Sequence, residues 1–134
     1  MIHKETILQT RDNSGVNYVK CVKLFGGLKK NAYLCESILV VIKNFKHRKK
    51  FKHIVKKKAS VLKKKNKILA LIVGTKKRKR RQDGSFFSSD GNKVLLVSPA
   101  YVVLGTRIYG FVPKELKVNK NKFTSVISRA KSSL

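Results

Sequence analysis

The sequence predicts a mainly β chain: a small closed barrel with a basic hairpin or insertion arm and a short helical C-terminal part. Short β-branched and apolar runs recur from Thr6 onward and are cut by Gly-bearing turns. Strands of that kind leave unpaired edges, and closing the sheet on itself removes them. Outside one lysine-rich block, helical spacing appears only near the end of the chain. The 134 residues, 42% of them hydrophobic, suit one domain with a modest core.

Thr6-Ile7-Leu8-Gln9 is short and half apolar, and Asp12-Asn13-Ser14-Gly15 is a turn cluster. Val16 to Phe25 is β-branched and aromatic, and Gly26-Gly27 stops it. Ile38 to Ile42 and Ile68 to Val73 are apolar without alternation, which predicts strands covered on both faces. Asp83-Gly84 and Asp90-Gly91 are turn dipeptides on either side of Ser85-Phe86-Phe87-Ser88. Val94 to Val97 reads as a strand, and Gly105 and Gly110 bracket another. Pro113 suits the start of a short turn over Lys114 to Lys117. Asn121 is placed to cap a helix through Ala130, with Phe123, Val126, Ile127 and Ala130 on one face. One domain is expected over residues 1–134, with a basic insertion at about 45–66 and a helical segment at about 113–131.

Charge points to the partner. From Lys43 to Arg81 there are nineteen Lys and Arg and no Asp or Glu, and the whole chain carries 33 Lys+Arg against 6 Asp+Glu, a formal +27. Unpaired like charges repel unless a polyanion neutralises them, and nucleic acid gains affinity by releasing its counterions. Apolar runs flank the block, so it is an arm on a folded core. Within it Phe51, Ile54, Val55, Ala59 and Leu62 recur at helical spacing. A basic amphipathic helix and an irregular loop are equally supported there. Free and at low salt, Lys46 to Lys67 is expected to be mobile. Lys76-Lys77-Arg78-Lys79-Arg80-Arg81 follows a strand and precedes a turn. Six consecutive cations on a hairpin favour phosphate binding over a nuclear-localisation signal or a plain surface charge run.

Other classes fit poorly. No apolar run approaches the roughly 20 residues of a membrane-spanning helix, so no membrane partner is expected. The start, Met1-Ile2-His3-Lys4-Glu5, has neither a secretory h-region nor the character of a transit peptide. Cys21 and Cys35 are too few for a disulfide scaffold and read as buried free thiols. The acids Glu5, Asp12, Glu36, Asp83, Asp90 and Glu115 are scattered, with no His close in sequence to Asp83 or Asp90 for acid–base work, so no enzyme is expected. A Mg²⁺ pair at Asp83 and Asp90 and a zinc set of Cys21, Cys35, His47 and His53 are the only metal arrangements to weigh. The zinc set lacks a Cys-x₂₋₄-Cys spacing, and no cofactor is expected.

A set of segments in order makes a more specific statement. Asp12-Asn13-Ser14-Gly15, Cys21 and Gly26-Gly27 come first. Arg80-Arg81-Gln82-Asp83-Gly84-Ser85 and Asp90-Gly91-Asn92 follow, then Leu96, Gly105-Thr106-Arg107-Ile108-Tyr109-Gly110 and Lys114-Glu115-Leu116. Together they resemble the universal large-subunit ribosomal protein L-fourteen family over nearly the whole chain. The resemblance implies a five-stranded β-barrel that binds large-subunit rRNA near the subunit interface and takes part in translation. It implies contact with the neighbouring L-three and L-nineteen proteins, with small-subunit rRNA across an intersubunit bridge, and with an anti-association silencing factor.

RNA-binding candidates are Lys43, Lys46, Arg48, Lys49, Lys50, Lys52, Lys76, Lys77, Arg78, Lys79, Arg80, Arg81 and Arg107. The resemblance further implies Thr106, Arg107, Lys122 and Ser125 as candidates for the subunit interface or factor docking. The chain departs from the family pattern in a longer segment between Ile42 and Ile68 and in its ending, Ser128 to Leu134, which has neither acid nor proline. Lys outnumbers Arg 26 to 7, and Asn, Ile and Phe are frequent. AT-rich codons encode these residues, which points to an organelle-encoded gene, mitochondrial before plastid, or to an AT-rich bacterium. The competing function is a free-standing small-barrel single-strand binder. That class expects aromatics clustered on the strands for stacking, whereas here they are scattered and Trp is absent.

Overall fold

A computed structural model describes residues 1–45, 62, 65–118 and 120–134. Its elements are β1 (Ile7–Thr10), β2 (Val16–Leu24), β3 (Ser37–Phe45), β4 (Lys67–Gly74), β5 (Lys79–Arg80), β6 (Phe86–Phe87) and β7 (Lys93–Val97), then a 3-10 turn (Lys114–Lys117) and α1 (Lys120–Arg129). The expected barrel is present and closed, in the order β1-β2-β3-β4-β7. Neighbours are antiparallel except at the seam, where β1 and β7 run parallel with Gln9 opposite Lys93 and Thr10 opposite Val94.

Two apolar clusters hold the fold. Inside the barrel lie alternate residues of each strand, among them Leu8, Val19, Cys21, Ile38, Val40, Ile42, Ala70, Ile72, Val94 and Leu96. The intervening residues of β4 and β7, Leu71, Val73, Leu95 and Val97, point outward. They are covered by Val103, Ile108, Val112, Leu116, Phe123 and Val126 of the C-terminal region. That second layer explains the unbroken apolar run in β4, which is buried on both faces from Ala70 to Gly74.

It also corrects the reading of β3. Ile38, Val40 and Ile42 are buried, but Leu39 and Val41 are only half-buried, because the covering layer stops at β4 and β7. Two further expectations change. Gly105 to Gly110 forms no strand; it meets the barrel through a single bridge between Asp12 and Ile108. The helix starts at Lys120, so Asn121 lies within its first turn and does not cap it. Phe123 leaves helical geometry (φ −114°, ψ 21°) to enter the core, and the predicted face of Phe123, Val126, Ile127 and Ala130 packs on the second cluster.

Pro113 precedes the 3-10 turn as expected, and Leu116 is the residue that turn buries. Leu62 packs against the barrel core. The remainder of the helical stripe, Phe51 to Ala59, lies outside the described residues, as does most of the Lys46 to Lys67 segment expected to be mobile. Both cysteines are free. Burial raises the Cys21 thiol, and burial together with the charge of Glu115 pushes Cys35 up to about 12. Both thiols are therefore protonated at neutral pH. Among the described residues no helix is long and apolar enough to cross a membrane.

Candidate nucleic-acid interface

The second half of the basic block folds as a hairpin of β5 and β6. Its turn is set by local chemistry. Asp83 Oδ1 accepts from the Ser85 N–H (3.0 Å) and the Ser85 hydroxyl (2.6 Å), and Gly84 takes φ +79°, which favours glycine. The Arg81 N–H donates to the Ser85 carbonyl at 2.8 Å. Lys114 Nζ donates to Asp83 Oδ2 at 2.8 Å and ties the turn to the C-terminal region. The hydrogen bonds from Lys114 and Ser85 hold the Asp83 carboxyl well below the usual carboxylate range.

Arg81 is placed apart from its neighbours in the hexad. Its Nε and Nη2 donate to both oxygens of Glu115 at 3.0 and 3.1 Å, and Nη2 also donates to the Leu134 carbonyl at 2.8 Å. The guanidinium lies over the Phe87 ring, 5.2 Å from its centre. The two side chains of the ion pair are 12% and 22% exposed. Partial burial works to raise the Glu115 carboxyl, but Arg81 and the charge of Lys79 outweigh it and leave the group below its ordinary value. The pair with Glu115 lies too far apart in sequence, 34 residues, to be seen from the hexad.

The carboxylates are all engaged. Five sit in ion pairs: Glu5 with Lys20, Glu36 with Lys29, Asp83 with Lys114, Asp90 with Lys93 and Arg11, and Glu115 with Arg81. Asp12 is fully buried and accepts from backbone N–H groups. No carboxylate therefore pairs with Lys76, Lys77, Arg78 or Arg80 among the described residues, and all four are exposed, as is Lys43. Lys79 is half-buried. Lys46, Arg48, Lys49, Lys50 and Lys52 lie outside the described residues.

A second group forms around Gly105. Asn13 clasps the loop: its N–H donates to the Arg107 carbonyl (3.2 Å), its Oδ1 accepts from the Arg107 N–H (3.0 Å), and its Nδ2 donates to Thr106 Oγ1 (2.7 Å). A Cβ at residue 105 would come within 2.8 Å of the Asp12 side chain, so close approach demands glycine there. From the other side Arg129 Nη1 donates to the Val103 and Gly105 carbonyls at 2.7 and 2.6 Å. The loop carrying exposed Thr106 and Arg107 is thus braced by the same helix that carries Lys122 and Ser125. Lys122 sits over the Tyr101 ring at 4.3 Å, and Ser125 Oγ accepts the Val103 N–H at 3.2 Å. Asn13 and Arg129 were not singled out by sequence. Asn13 was visible as part of a turn and of the family-like opening segment, with no role of its own, and Arg129 carried no signal.

Acid should loosen this arrangement. Lys93 lowers Asp90 as Lys114 lowers Asp83, and Glu115 is also lowered. Groups with depressed folded-state values contribute stability above their ordinary values and lose it as pH falls through the folded ones. The urea midpoint should change little from pH 7 to about 5 and fall below about 4.5, the ordinary value of Glu115. Glu115→Gln should lower the neutral-pH midpoint and flatten that acid limb. A wild-type midpoint that rises between pH 5 and 3 would contradict the assignment.

Each carboxylate of the possible Mg²⁺ pair is occupied by a lysine. Among the described residues no three His, Cys, Asp or Glu side chains converge. His47 and His53 of the possible zinc set lie outside them. What the geometry offers is a closed barrel whose acids are internally engaged, a braced loop, and a hairpin of exposed cations. A family model described as Ribosomal protein L14p/L23e matches residues 1–134, the full chain. On that match and this barrel, the chain belongs to the ribosomal protein L14p/L23e family of structural, non-enzymatic components of the large ribosomal subunit.

Proposed function

We propose that the chain binds large-subunit rRNA through its basic hairpin and contributes to the intersubunit interface in translation. The observation that carries the reading is the charge ledger: all six carboxylates are engaged inside the protein, while Lys76, Lys77, Arg78 and Arg80 stand exposed on or beside one hairpin. Phosphate is the natural counter-charge for such a surface. Lys43, Arg107 and the cations at 46, 48, 49, 50 and 52 extend the same role in this reading. Lys79 contributes through its charge, and Arg81 acts from within the protein.

The loop of Thr106 and Arg107, with Lys122 and Ser125 on the supporting helix, is the proposed face toward small-subunit rRNA and the silencing factor. L-three and L-nineteen type proteins are the proposed neighbours. The lysine-rich composition fits an organelle or an AT-rich bacterium, and the enlarged basic segment between Ile42 and Ile68 favours a mitochondrial ribosome in this reading.

The chain should co-sediment with large subunits through a high-salt wash. A free-standing RNA binder would be stripped and stay at the top of the gradient. With eight to ten cations on phosphate, log K against log salt should have a slope of about −7 to −9 for duplex-like RNA. A slope near about −2 would mean that most of these charges face water.

A further inference from the structure

The hairpin has two faces of different character. Arg81 and Phe87 belong to its inner face, where the guanidinium covers the ring and is anchored to Glu115. Arg80 and Phe86 are cross-strand partners on the outer face. Residues directly opposite in an antiparallel pair project to the same side, with Cβ atoms about 5 Å apart. Phe86 is 62% exposed. Arg80 is exposed and pairs with no carboxylate. The result is an open aromatic ring beside a free planar cation, on a turn held rigid by Asp83, Ser85 and Lys114.

We propose that Phe86 and Arg80 form a stacking platform for one unpaired RNA base, with Phe86 against the base and Arg80 on an adjoining phosphate. The proposal rests on the rRNA-binding reading and names what this hairpin recognises. An apolar protein surface docking on Phe86 would have to desolvate the unpaired charge of Arg80 beside it, which is unfavourable. A nucleotide brings both complements at once: a π face for the ring and an anion for the guanidinium. Lys76, Lys77 and Arg78 precede the platform in the chain and supply further positive charge. A duplex offers no accessible base face, so the platform favours a bulged or looped nucleotide.

The test compares the full chain on a short RNA duplex and on the same duplex carrying one bulged 2-aminopurine, at matched salt. The bulged RNA should bind about tenfold tighter, and its emission should drop as the base stacks. Phe86→Ala should bind both RNAs equally, at the affinity of the plain duplex and with an unchanged salt slope. Phe86→Tyr should restore the preference. Arg80→Ala should weaken both RNAs and reduce the salt slope by about one. If the wild type shows salt-dependent binding but no bulge preference, or Phe86→Ala keeps that preference, the platform is wrong and rRNA binding stands. If neither RNA binds in a salt-dependent way, both readings fall.

Discussion

Asp12→Ala should destabilise the protein by about 3 kcal/mol or more, a large share of the roughly 5–15 kcal/mol typical of a domain. Asp12 is completely buried. Its Oδ1 accepts from the Ser14 N–H at 2.9 Å and from the Ser14 hydroxyl, and its Oδ2 accepts from the Leu96 N–H at 3.1 Å. One side chain thus joins the turn between β1 and β2 to β7. Alanine leaves one buried backbone donor, Leu96 N–H, and one partly buried donor, Ser14 N–H, without acceptors, at about 1–3 kcal/mol each. Asp12→Asn should be nearly as damaging. Both oxygens are used as acceptors, and an amide turns one of them into a donor facing an N–H. Urea denaturation of the three proteins decides it: Asp12→Asn within about 0.5 kcal/mol of wild type would show that one of the two contacts is dispensable.

Arg81→Ala should cost about 2 kcal/mol of stability, whereas Arg80→Ala should change it by less than about 0.5 kcal/mol. The first change leaves Glu115 without its bidentate partner in a partly buried position and removes the cover over Phe87. Arg81→Lys should recover less than half, because an ammonium cannot reproduce a planar fork on two carboxylate oxygens while also reaching the Leu134 carbonyl. RNA affinity separates the neighbours in the opposite sense. Arg80→Ala should weaken binding in a stably folded protein. Arg81→Ala should weaken it only as far as the hairpin loses its anchorage, with partial recovery in conditions that restabilise the fold. Equal thermal midpoints for the two alanine variants would refute this division of labour.

The division shows where sequence reading reaches its limit. Turn chemistry is local, so Asp83-Gly84 and Asp12 to Gly15 were legible, as were the strands they separate. The apolar run of β4 announced burial on both faces, and the same pattern in β3 did not hold. Which strands receive a second layer depends on where the C-terminal region docks, and no property of β3 itself records that. Arg80 and Arg81 are the same residue side by side, and only the fold brings Glu115 to one of them. Two flanking glycines suggested a strand at Gly105 to Gly110. That segment is fixed instead by Asn13 and Arg129, about 94 residues before and 24 after it along the chain.

The parallel seam between β1 and β7 has a kinetic consequence. Gln9 meets Lys93 there, so the barrel shuts only when its first and last strands in the sequence find each other. Large sequence separation of that kind slows folding, because chain entropy is lost before the contact repays it. During synthesis β1 and β4 remain open edges until residues 93–97 have emerged, and the lysine-rich segment emerges earlier. A nascent chain of this protein therefore exposes unpaired strand edges and a dense positive charge at the same time. The charge keeps such chains apart through mutual repulsion, so the residues proposed to grip RNA in the finished particle also guard the unfinished one against edge-to-edge association.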